Sequence, residues 1–259
     1  MTTIGLGVEL ASLPRHRKIL TPFMTLSDPS VWTLETSAIS KRELDTAMAT
    51  LSSEEVVRAL RFDLEADRVG YILAHCLARM ALAQAAGCRP EHLQFDTGIY
   101  GRPHVVAPSG AKSLNFNLSH SEGLVGVAIS RRHVGLDIEG ISREINLLEI
   151  IEDILTEAEI RSLLALEPDE MRRRFFQLWT LKEAYLKATG TGFVADPKSF
   201  SFEVKGDDLT FHPPENDVAE WTFLSKFYGI MHCFALCYAT HDDPVKIQDG
   251  RALLLGAAH

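Results

Sequence analysis

Residues 175–192, FFQLWTLKEAYLKATGTG, place charge inside a helix built for a core, and this limits what the chain can fold into. The apolar spacing predicts a buried helix, and the closing glycines end it. On a wheel of about 100° per residue, Phe175, Leu178, Trp179 and Leu186 form a stripe. Lys182 falls inside that stripe, and Glu183 falls between Trp179 and Phe176. Arg173, Gln177, Thr180 and Ala184 fall opposite, where the pattern predicts a solvent face. An unpaired charge in packed surroundings is costly. Either Glu183 and Lys187 form an i,i+4 surface pair while Lys182 extends its amine to water, or the charges border a site.

Composition narrows the field. With 259 residues the chain can form one large domain or two small ones, each with a real core. A formal charge of -9 gives no basic field, so no nucleic-acid partner is expected. No apolar run approaches the length of a membrane span, and MTTIGLGVELASLPRHRKIL lacks a signal-type apolar run. The expected location is cytoplasmic, with no membrane partner. Cys76, Cys88, Cys233 and Cys237 include no CxxC pair, and only His232 adjoins the last two, so free thiols are expected rather than zinc.

Residues 1–30, with RHRK at 15–18, read as an N-terminal extension. VWTLETSAI alternates like a strand from Val31, and LSSEEVVRALRF opens a helix with Ser52 and Glu55 at capping-box spacing. A longer helix runs through DRVGYILAHCLARMALAQAAG to Gly87, with Pro90 beyond. LVGVAIS and VGLDIEG, joined by RRH, read as a hairpin. Residues 144–187 read as two or three helical segments broken near Pro168; SFSFEV, LTFH, WTFLSKF and HCFALCYA follow as strands, and 242–259 as a tail. The layout is mixed α+β, with a strand and helix set in each half.

VGLDIEG puts Asp137 and Glu139 on one strand face, opposite Val134, Leu136 and Ile138. Two such carboxylates repel unless something cationic lies between them. Glu183 supplies a third acid. A set of carboxylates without a Cys or His pair favours magnesium or manganese over zinc. In FNLSHSEG, Ser119 and His120 are strand neighbours on opposite faces, and there is no GxSxG elbow, so anion binding suits them better than a hydrolase triad. Arg61, Arg68, Arg79 and Arg102 could bind phosphate. No P-loop, kinase signature or GxGxxG is present, so the common nucleotide enzymes are not supported. The combination describes metal-dependent phosphoryl transfer.

RFDLEADR (61–68), GRP (101–103), FNLSHSEG (116–123), VGLDIEG (134–140) and LWTLKEAYLKATGTGF (178–193), in this order, resemble the Sfp-type 4′-phosphopantetheinyl transferases. LTEAE (155–159) and FSF (200–202) match more weakly, and the whole resemblance covers about 31–240. It implies transfer of the phosphopantetheine arm of coenzyme A to a serine of an apo acyl or peptidyl carrier protein, releasing adenosine 3′,5′-bisphosphate. It also implies two similar α/β halves related by a pseudo-twofold axis, 31–129 and 130–245, with the active site between them and a tail at 246–259. A monomer is the simplest expectation.

By the same resemblance Asp137, Glu139 and Glu183 are the Mg²⁺ ligands, with Glu183 also the general base, and Lys187 contacts the pyrophosphate. Arg68 and His120, with Ser119 beside them, correspond to groups around the 3′-phosphate, Gly101-Arg102-Pro103 to the adenine segment, and Arg61 to a further phosphate contact. Glu157 stands where the family has an acid, Arg102 where many relatives have Lys, and His75 where an Arg is frequent. Lys182 belongs to the motif without an assigned role. A Mg²⁺-dependent nucleotide phosphohydrolase and a non-catalytic CoA- or carrier-binding module are the competing readings.

Overall fold

The computed structural model describes residues 29–256, apart from 100, 143–144 and 241–243. The N-terminal extension up to residue 28, RHRK included, lies outside the described residues. The first half runs β1 (Ser30–Glu35), α1 (Lys41–Ala49), α2 (Ser53–Ala59), α3 (Glu65–Ala86), β2 (Gln94–Thr97), β3 (Pro103–Ala107), β4 (Asn115–Ser121) and β5 (Leu124–Ser130). The second half repeats that order: β6 (Val134–Gly140), α4 (Leu147–Ile154), α5 (Glu157–Leu164), α6 (Pro168–Thr189), β7 (Ser201–Lys205), β8 (Asp208–His212), β9 (Trp221–Tyr228) and β10 (His232–Ala239). β11 (Lys246–Asp249) and α7 (Gly250–Gly256) close the described chain.

Local chemistry sets the helix boundaries. Ser52–Glu55 and Thr156–Glu159 form reciprocal capping boxes at the starts of α2 and α5. Pro168 occupies the first turn of α6, where its missing N–H costs nothing. The long helices α3 and α6 both stop at a left-handed glycine, Gly87 (φ 62°) and Gly190 (φ 74°).

The larger sheets have orders β11-β1-β5-β4 and β6-β10-β9. The predicted hairpin between LVGVAIS and VGLDIEG does not form. β5 lies between β1 and β4, whereas β6 crosses to the second sheet and pairs with β10. All of β5 is buried, so its sequence carries no alternation that could name its neighbours. Val134, Leu136 and Ile138 of β6, with Phe234 and Leu236 of β10, pack on Val31, Leu124 and Ala128 of the first sheet. Each of the larger side chains contributes about 1.5–3 kcal/mol when buried from water. This apolar layer joins the halves.

The reading of 242–259 as a tail is also corrected. β11 pairs in parallel with β1, and Leu254 of α7 joins the core around α3. Four residues, KIQD, are too few to display a period, so the strand was invisible to pattern.

α6 is buried more completely than its wheel predicts. Thr180 and Ala184, assigned to solvent, are fully buried. The helix lies directly on β6: a Cβ at Gly135 would stand 2.0 Å from the Ala184 carbonyl oxygen. Its other side meets the small β7-β8 sheet through Tyr185, Phe200 and Phe211. A helix held between two layers has no polar face to lose. All four cysteines are free, and Cys233 lies 3.3 Å from the Thr180 hydroxyl.

Candidate active site at the seam between the halves

The edge strands β4 and β6 face each other, and α6 lies across β6. Asp137 points from β6 toward α6, since its strand face is the one Gly135 opens to the helix. Its Oδ1 accepts from Lys187 Nζ at 2.6 Å and from the Ser119 hydroxyl at 3.2 Å. Its Oδ2 is buried with no hydrogen-bond partner. Lys187 also donates to the Leu136 carbonyl at 3.2 Å and to Ser119 at 3.4 Å.

Glu183 lies one turn before Lys187 on α6. Burial pushes its carboxyl pKa up, the charge of Asp137 pushes it further, and Lys187 opposes. Glu139 is half-buried two residues beyond Asp137, on the same strand face. Among the described residues no three His, Cys, Asp or Glu side chains converge as a ready-made metal cluster. The acids instead flank an amine: Lys187 sits on one oxygen of Asp137, and the other lacks a partner. A buried acceptor without a donor beside a second, charge-disfavoured carboxylate fits a cation of the magnesium type.

Lys182 has a different job from its neighbour. Its ammonium is buried, 3.0 Å from Glu159 of α5, and donates to the carbonyls of Pro197 and Phe200 at 2.8 Å each. Burial lowers its pKa and Glu159 opposes. Glu159 also caps α5 and accepts from the Phe202 amide at 2.9 Å. Sequence reasoning singled out Glu157, which is exposed and pairs at 3.8 Å with Arg161 on its own helix. The signal for Glu159 was present in its capping-box spacing from Thr156.

Residues 133–230 match the family model for the 4′-phosphopantetheinyl transferase superfamily, and 37–132 match the model for a 4′-phosphopantetheinyl transferase N-terminal region. A 4′-phosphopantetheinyl transferase of Bacillus subtilis is 30% identical over 169 residues, 65% of this chain and 73% of that protein. The chain belongs to the 4′-phosphopantetheinyl transferase superfamily. Another transferase, psf-1 of Bacillus pumilus, is 30% identical over 198 residues, 75% of this chain and 83% of its own. A holo-(acyl-carrier-protein) synthase from Bacillus anthracis, crystallised in complex with CoA, aligns at 20% identity with TM-score 0.38, over 41% of this chain and 94% of its own.

The remaining predicted residues of this transferase sit around the same seam or along the first half. His120 of β4 lies against α3, where a Cβ on Gly70 would stand 3.1 Å from its Nδ1. Burial lowers its pKa, and the nearby Asp67 opposes. Arg68 is half-buried in the first turns of α3, two residues before Gly70. Arg61 is exposed just past α2 and lines a cleft of about 700 Å³ with Arg58 and Phe62. Pro103 lines a second cleft of about 500 Å³ with Arg58, Tyr71 and His75.

Gly101 and Arg102 form a tight turn closed by the bonds Gly101 N to Gly98 O and Gly98 N to Arg102 O, both 2.9 Å. The guanidinium of Arg102 donates to the carbonyls of Ala188, in the last turn of α6, and Val134, each at 3.1 Å. A cation suits that helix end. Ser119 is buried and accepts from the Ile138 amide at 3.1 Å as it donates to Asp137. Arg79, grouped with the phosphate binders, is buried instead on Glu55 at 2.7 Å.

Proposed function

We propose that this chain moves the 4′-phosphopantetheine arm of coenzyme A onto a serine hydroxyl of an apo acyl or peptidyl carrier protein. The observation that carries the reading is the Asp137–Lys187–Glu183 constellation on the seam of a chain belonging to this superfamily. In the proposed step the serine oxygen bonds to the phosphorus that bears the pantetheine arm. The bond from that phosphorus to adenosine 3′,5′-bisphosphate breaks, and the serine proton passes to Glu183. A carboxylate whose pKa is raised is the stronger base for such a proton. Lys187 holds a positive charge where the pyrophosphate would lie.

Asp137, Glu139 and Glu183 would hold Mg²⁺ or Mn²⁺, which supplies charge to offset that gathering on the leaving phosphate. Arg68 and His120, with Arg61, are assigned to the phosphates of CoA, and Gly101–Pro103 to its adenine side; the Ser119 hydroxyl is taken up instead by Asp137 and the Ile138 amide. The duplicated halves supply both walls of the cleft from one chain, which supports a monomer as the working unit, and we place it in the cytoplasm.

Incubation with CoA, Mg²⁺ and an apo carrier domain tests the reading. Adenosine 3′,5′-bisphosphate is expected only when the carrier is present. Inorganic phosphate released from CoA without a carrier would indicate a phosphohydrolase. CoA binding without product across a panel of carriers would indicate a binding module.

A further inference from the structure

Among the described residues β6 has an edge that no strand covers. Its odd-numbered amides face β10, so the amides of Leu136, Ile138 and Gly140 point out of the second sheet toward β4. A bare edge leaves polar backbone groups without partners, and a buried group so placed is destabilising. Here side chains stand in for the missing strand. Asn117 Oδ1 accepts from the Leu136 amide at 2.8 Å, Ser119 Oγ from Ile138 at 3.1 Å, and Ser121 Oγ from Gly140 at 3.0 Å. The edge carbonyls of Val134 and Leu136 accept from Arg102 and Lys187.

The three acceptors sit at i, i+2 and i+4 of β4, one face of a strand, and meet every second amide of β6. They form a ladder with side-chain rungs. The outer rungs bracket the acids: Asn117 bonds the residue before Asp137, and Ser121 the residue after Glu139.

We propose that Asn117 and Ser121 are positioning residues that fix the register of the carboxylate strand against the first half. They thereby set where Asp137 and Glu139 present their oxygens. The proposal rests on the reading of those acids as metal ligands. Among the described residues no backbone hydrogen bond joins β4 to β6, so main-chain pairing does not set this register. A shift along that edge would displace both acids relative to Ser119 and the first half.

The test measures Mn²⁺ affinity by paramagnetic resonance, without CoA or carrier, alongside amide exchange at Leu136 and Gly140. Asn117→Ala and Ser121→Ala should each speed exchange at the bonded amide and weaken Mn²⁺ binding by about tenfold, the usual effect of losing a group that orients a metal ligand. Ser121→Thr keeps the hydroxyl and should match the parent in both. Should Asn117→Ala fail to fold, the Ala and Thr variants of Ser121, at the strand end, carry the test alone. Faster exchange with unchanged Mn²⁺ affinity would overturn the proposal and leave the rungs a purely structural role. Unchanged exchange would overturn it as well. A parent protein that binds no Mn²⁺ would contradict the metal reading itself, and the proposal with it.

Discussion

The two halves use one frame for different ends. In each, a capping-box glutamate clamps a buried cation on the long helix, eight residues before the glycine that stops it. The pairs are Glu55 with Arg79 and Glu159 with Lys182. Each cation then holds the turn that follows its helix: Arg79 donates to Pro90 and Leu93 carbonyls, Lys182 to Pro197 and Phe200. One residue further on, the halves part. α3 carries Met80 and Gln84 where α6 carries Glu183 and Lys187. The clamp belongs to the fold, and the proposed chemistry falls to the next position. Lys182 and Glu183, adjacent in sequence, therefore answer to different partners.

Glu183→Gln should give the largest effect, a fall in transfer rate of about 10²–10⁴-fold with the melting temperature held or raised. Its folded-state pKa is raised, so above its ordinary value the carboxylate is buried at a cost that the amide avoids. Progress curves with a carrier domain, paired with calorimetry, check both. A variant that melts early and retains its rate would place Glu183 with the clamp.

Lys182→Met and Arg79→Met should show the opposite pattern. Lys182→Met leaves buried Glu159 without its cation, at about 3–5 kcal/mol, and Arg79→Met leaves half-buried Glu55 with His75 in place of its guanidinium, at a cost up to that size, both read from urea unfolding. Similar losses in the two variants would support equivalent clamps. A negligible loss in either would break the comparison.

Arg68→Ala should weaken CoA binding about tenfold, the order expected for one lost charge-assisted contact, and dephospho-CoA binding much less. Calorimetric titration with both ligands decides, and equal losses would remove Arg68 from the 3′-phosphate.

The smallest effect concerns acid. Burial raises the Glu55 pKa, but hydrogen bonds from His75, Ser52 and Arg79 outweigh it and bring the group down to about 2. A depressed folded pKa stabilises above the ordinary value of 4.5 and is lost as pH falls through about 2. Glu55→Gln should flatten the stability curve over that acid range. An unchanged slope would mean that the first clamp does not titrate there.

The sequence revealed what short-range chemistry controls. Capping boxes, terminal glycines and the Asp137–Glu139 alternation are visible within a few residues, and so were the helix ends and the acids of the site. Partners far along the chain were not. Lys182 looked unexplained because Glu159 belongs to another helix, and Ser119 looked free for an anion because its partners lie on β6. The false hairpin and the hidden β11 share a cause. Strand pairing is a long-range choice, and neither a fully buried strand nor a four-residue one records its neighbours in its own pattern.

The most direct test of the account is the intact mass of an apo carrier domain after incubation with this protein, CoA and Mg²⁺. The account predicts a gain equal to one phosphopantetheine arm, abolished by chelating the metal and slowed about 10²–10⁴-fold by Glu183→Gln. An unchanged mass across acyl and peptidyl carrier domains, or a gain that survives Glu183→Gln at full rate, would contradict it.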